Sequence, residues 1–376
     1  MRWLALAAGI VVLIYNAGSV VRTLIVPRGL SSRLSRLVEF STRKFFLSIA
    51  NRFDNYERKD RVLVLQGPMS LLILLFLWIA MFVLGYSLVL WGLTDLSYTE
   101  ALTESGSSFF TLGFAASSGA GPTVVHFLAA ASGLVVVALQ IAYLPTLYAA
   151  FNRRETLVTM LQSRAGSPAW GAEILARHHL VGLLDNLPRL YLDWEQWAAD
   201  VAESHTNYPI LINFRSPHPL RSWVVGLLAV LDSAALYLAL CPSRAPTEGR
   251  LCIRMGFNCL RDVAGSIGLP FDPDPFPDDP IELTFEDFEG AIHRLHEGGF
   301  ETELSAEEAW PHFRGWRVNY EAVAYSIADL VMAPPGPWSG PRTHLPDLEI
   351  VPLRPPDRHP GDTKALERPK GKRLGW

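Results

Sequence analysis

Cysteine is nearly absent: Cys241, Cys252 and Cys259 are the only three in 376 residues. An odd, sparse set makes no disulfide framework, so these read as reduced thiols. Charge is scarce too. Lys, Arg, Asp and Glu form 19% of the chain, below the ~25% of an ordinary soluble domain, and the formal net charge is −4. This composition excludes a disordered chain and a nucleic-acid binder working through a strong basic field. No GxGxxG follows a strand, and there is no Walker A lysine loop and no HExxH. No apolar stretch carries arginine at three-residue spacing, so no voltage sensor is expected.

Apolar residues are abundant, at 49%, and crowd the first 150 positions. Residues 69–91 contain no charge in 23 positions. As a helix they span ~34 Å, enough for a bilayer core. Residues 124–150 form a second uncharged stretch, interrupted by His126, Gln140 and Pro145. Residues 3–26 form a third, in which Arg22 sits near one end and can snorkel. Residues 27–64 carry nine Lys and Arg, whereas 92–123 carry none. The positive-inside rule then places 27–64 and everything after 152 in the cytoplasm of a plasma-membrane protein, with the N-terminus outside. A cleaved signal peptide is disfavoured because it would strand those cations on the wrong side. Residues 36–53 mix aromatics with cations at helical spacing, which suits an interfacial helix or an amphipathic linker equally.

Between the two strongest stretches lies YTEALTESGSSFF, residues 98–110. As a helix it reaches ~20 Å, about half a bilayer. A Gly-containing turn and the flexible SSGAGP follow, then the next apolar stretch. A short helix and turn between two spans is a re-entrant pattern, and non-helical backbone at membrane depth is tolerated only where it is buried or lines a watery cavity. Asp95, Glu100 and Glu104 occupy this outer segment without a cation, and are expected to draw cations to a mouth.

Ser107-Ser108-Phe109-Phe110-Thr111-Leu112-Gly113-Phe114 resembles the pore-helix end and selectivity filter of potassium channels, whose filter reads TVGYG. The resemblance covers residues 67 to about 152. It implies that carbonyls of Thr111, Leu112, Gly113 and Phe114 replace the hydration shell of a permeant potassium ion. It also implies a homotetramer embedded in membrane lipid, since one chain supplies one such segment. Ala115 departs from the family, which has a second glycine there; alanine in a left-handed conformation costs ~1–2 kcal/mol. Gly133 falls about where the family often places a gating hinge, and Pro145 favours a kink near the cytoplasmic end.

Residues 153–333 are expected to form a mostly helical cytoplasmic domain. Pro188 opens an amphipathic run through His205, with Trp194 and Trp197 on one face, and Thr247, Thr284 and Ser305 are helix starts. Residues 224–240 are apolar but flanked by arginines on both sides, which favours a buried helix over a fourth span. His293 and His296 share a helical face without a third ligand, and His205, Arg215 and Asp232 are candidates for a structural polar cluster. Residues 270–289 form a proline-rich acidic connector without EF-hand spacing. From residue 334 ten prolines in 43 residues and a basic KGKR predict a disordered tail, in which Lys370, Lys372 and Arg373 meet anionic lipid.

The expected fold is therefore all-α. It has three transmembrane helices (one in 1–26, two in 67–152), a basic linker over 27–66, a re-entrant pore loop, a helical cytoplasmic domain over 153–333 and a tail over 334–376. The expected function is a monovalent-cation channel, with no catalytic residues, resident metal, cofactor, nucleic acid or small-molecule substrate. A non-conducting membrane scaffold and a membrane-anchored enzyme with activity in 153–333 are the competing classes.

Overall fold

The computed structural model describes residues 1–26 and 32–341. Among these residues all regular structure is helical. Thirteen α-helices follow in order: α1 (Arg2–Leu24), α2 (Arg33–Ala50), α3 (Tyr56–Leu63), α4 (Gln66–Leu93), α5 (Tyr98–Phe109), α6 (Ala120–Ala165), α7 (Gly171–Leu180), α8 (Leu187–Asn207), α9 (Trp223–Leu240), α10 (Glu248–Ile267), α11 (Phe285–Glu297), α12 (Ala306–Arg317) and α13 (Glu321–Leu330). Four stretches, containing α1, α4, α6 and α9, are long and apolar enough to cross a membrane.

Helices α1, α4, α5 and α6 pack into one bundle. α1 runs antiparallel to α4. Arg2 pairs with Asp95 at one end, Gly9 lies against the Gly85 carbonyl, and further along Asn16 Nδ2 donates to the Trp78 carbonyl at 2.9 Å. The Trp78 indole donates to Ser19 Oγ at 3.0 Å. Small residues let the two backbones approach, and the polar pairs tie these two apolar helices together. The Tyr86 hydroxyl reaches the Leu128 carbonyl and Ser132 Oγ at 3.1 and 2.7 Å. The start of α1, the end of α4 and the start of α6 thus share one end of the bundle.

α2 buries Leu34, Val38, Thr42, Phe46 and Ala50, a stripe every fourth residue. That stripe packs on α4 and then meets α3, so the helix connects the two halves of the molecule along protein. Its other face leaves Leu37, Phe40 and Phe45 exposed.

The C-terminal bundle is built around α9, all eighteen residues of which are buried. α7, α8, α10, α12 and α13 surround it. A helix apolar on every side needs such a sheath or a bilayer, and here protein supplies it. Inside, Arg317 bonds Asp232 at 2.5 Å, Glu321 at 2.8 Å and the Tyr325 hydroxyl at 2.8 Å. Thr284 and Ser305 form capping boxes as their sequences predict; Thr247 occupies an N-cap without a side-chain bond. The cysteines are free and buried, with their thiol pKa values pushed up by burial.

Two expected boundaries move. The one at residue 152 falls inside α6, which continues unbroken to Ala165. Arg154 is buried on that continuation. It donates to the Leu211 carbonyl at 3.0 Å and the Phe214 carbonyl at 2.6 Å, and pairs with Glu155 at 2.8 Å. The tail starts later than proline content suggests. Pro334, Pro335, Gly336, Trp338 and Ser339 are buried against the bundle, because the Trp338 carbonyl accepts from Arg317 and from Tyr325. Lys370, Lys372 and Arg373 lie outside the described residues.

Candidate functional site

Ser97 starts α5 with a capping box: its hydroxyl accepts from the Glu100 N–H while the Glu100 carboxylate accepts from the Ser97 N–H. α5 then descends beside α4. Ser105 Oγ donates to the Val83 carbonyl at 2.7 Å, and the Phe109 ring stacks on Phe82 at 5.8 Å. The helix ends where Phe109 meets α6 at Gly133. A Cβ on Gly133 would lie 2.1 Å from the Phe109 carbonyl oxygen. The structure therefore gives Gly133 a packing role, as the gap through which α5 reaches α6. Pro145 lies within the unbroken run of α6.

The chain then turns back along the helix it has just left. Thr111 has φ +55° and Gly113 φ +70°. The Ser107 carbonyl accepts from the Leu112 N–H at 2.7 Å, and Ser107 Oγ accepts from the Phe114 and Ala115 N–H groups at 3.1 and 3.2 Å. Higher up, Ser117 Oγ donates to Glu104 at 2.9 Å. Residues 110–114 are all exposed on this chain, Phe110, Leu112 and Phe114 among them.

The expected penalty at Ala115 is not seen there. Ala115 has no positive φ; in this turn the left-handed non-glycine residue is Thr111. A β-branched residue in that region is strained by ~1–2 kcal/mol. It persists because Ser107 fixes the residues immediately after it.

The three outer carboxylates have separate fates. Glu104 is buried, 3.5 Å from His126 Nε2, while His126 Nδ1 bonds Ser108 Oγ at 2.7 Å. Asp95 is exposed but paired with Arg2, a cation that α1 brings to this end. Glu100 is exposed within its capping box, where hydrogen bonds from Ser97 hold its pKa below the ordinary value. Of the three carboxylates expected at a mouth, Glu104 is thus buried and Asp95 ion-paired, which leaves Glu100 as the one that is exposed and without a cationic partner among the described residues.

Sequence reasoning named Ser107, Ser108, Glu104 and His126 but missed that Ser107 holds the turn, that Ser117 bonds Glu104, and that His126 lies between Glu104 and Ser108. Its available signal was His126, an ionisable residue in an otherwise uncharged apolar stretch.

In the C-terminal bundle the candidate cluster of His205, Arg215 and Asp232 does not assemble. His205 lies beside Arg154 at 3.1 Å, and burial together with that charge holds it far below the usual imidazole range. Arg215 bonds Asp60 of α3 at 2.5 Å and the Tyr56 hydroxyl at 2.7 Å. Asp232 belongs to Arg317, with burial pushing its pKa up to about 6. His293 is exposed beside Glu297, and His296 contacts Thr302. No group of three metal-ligating side chains occurs among the described residues. No protein-family model, curated protein or solved structure matches this chain.

Proposed function

We propose that this chain is one subunit of a membrane-embedded cation pore, a homotetramer passing potassium through the turn at residues 111–114. The observation that carries the reading is the hairpin made by α5 and its return. A twelve-residue helix enters between two apolar helices, stops beside Gly133, and hands over to irregular backbone held by Ser107. In lipid, such backbone needs a water-filled or protein-lined surrounding, and four copies around an axis supply one. The C-terminal end of α5 points to the same place, and the negative end of a helix dipole favours a cation. With the basic linker inside, α1 starts outside, α4 and α6 cross, and α7–α13 are cytoplasmic.

A non-conducting scaffold remains the competing function. The observation favouring it is that Leu112 and Phe114 expose large apolar side chains at the turn. Flux from purified protein in liposomes separates the two. Potassium-dependent flux that a Gly113→Asp substitution abolishes is the expected result. Equal sodium and potassium flux keeps the pore without the selectivity. No flux from an intact tetramer sinks the channel reading.

A further inference from the structure

The C-terminal bundle contains a hollow of about 450 Å³ that the pore reading does not use. Its walls include the rings of Trp170, Tyr325 and Trp338, and its rim carries Glu282, Glu286 and Asp287. Trp170 and Trp338 meet edge to face at 5.9 Å. The segment that closes one side turns at Gly340, whose φ is +112° and whose Cβ position lies 3.4 Å from the Tyr325 ring. Volume and lining are those of a small-molecule site.

We propose that this hollow binds a small organic cation, its charged head against the aromatic walls and the Glu282 and Glu286 carboxylates. The rim charges are available for it. Asp287 is committed to the Thr284 capping box, but Glu282 and Glu286 are exposed and form no ion pair among the described residues. The walls favour positive charge over negative charge, since a ring face attracts cations. Behind them Arg317 stacks within 5.4 Å of Trp338 and 5.8 Å of Tyr325. Two carboxylates, Asp232 and Glu321, face that single guanidinium, so the wall is not left with excess positive charge. The site lies just beyond the end of α6, the helix shared by the two bundles.

This inference is independent of the pore reading, and its test needs no flux. Choline is titrated against the full-length chain in detergent by calorimetry, beside its uncharged isostere with a tert-butyl group in place of trimethylammonium. Choline is expected to bind at least about tenfold more tightly than the isostere, and a Glu282→Gln/Glu286→Gln chain to lose about tenfold in choline affinity with its thermal transition unchanged. Both substitutions are at exposed positions, so folding is preserved. Absence of choline binding, equal binding of the isostere, or an unaffected double variant would overturn the proposal.

Discussion

Gly133→Ala is the most informative single change in this protein. The added methyl would sit 2.1 Å from the Phe109 carbonyl oxygen, against ~3.5 Å for an ordinary contact. The obstructing atom is backbone, so no rotamer change relieves the clash. Either α5 or α6 has to retreat by on the order of 1 Å. Overpacking of this kind costs ~1–3 kcal/mol, offset by the ~1 kcal/mol that alanine gains over glycine in a helix. The net expectation is a loss of about 0–2 kcal/mol, and about 1–3 kcal/mol relative to a glycine-to-alanine change that meets no clash, together with a displaced turn, because Ser107 is two residues from the contact. Gly121→Ala is the control: it lies on the same helix with nothing within 4 Å of its Cβ position, and is expected to be neutral or stabilising. Thermal unfolding in detergent measures the first effect and liposome flux the second. A gating hinge predicts the opposite pattern, with a stiffer, equally or more stable helix and altered opening. If Gly133→Ala matches Gly121→Ala in stability, the packing argument is refuted.

Three further outcomes are expected. Ser107→Ala removes the hydroxyl that accepts from Phe114 and Ala115, at ~0.5–1.5 kcal/mol per bond, so it should impair ion selectivity more than assembly; unchanged selectivity and unchanged protease sensitivity of the turn would count against Ser107 as its support. Arg317→Met strands the buried Asp232 and Glu321 carboxylates and should cost ~3–5 kcal/mol in denaturant unfolding, and a loss under 1 kcal/mol would show that the network is dispensable. Burial raises the Glu39 pKa from 4.5 to about 7, so the folded protein holds this proton more tightly than the unfolded chain does. Stability from this group is therefore present below about pH 4.5 and falls as pH rises through about 7. Glu39→Gln should be more stable than the parent at pH 8 and equal to it at pH 4, and identical pH profiles would remove the effect.

Much of the helical framework was legible because its causes are local. Uncharged runs, capping residues and the proline at position 188 announce helices through short-range chemistry. The short α5 and the turn after it could be placed between apolar helices for the same reason. Less of the candidate site could be read. Glu104 looked like a mouth charge because nothing local marks His126 and Ser117 as its neighbours. Asp95 looked free because its partner, Arg2, is 93 residues away. His205, Arg215 and Asp232 share a stretch of sequence but point to three different partners.

By itself the sequence determined which segments are apolar, where the cations crowd and where helices begin, since these follow from composition and neighbouring residues. Only the tertiary structure decided which helices sheathe α9, that Thr111 carries the backbone strain expected at Ala115, and that Gly133 admits Phe109. Each of those depends on contacts between residues distant in sequence, where burial and close approach are set by packing and not by local preference.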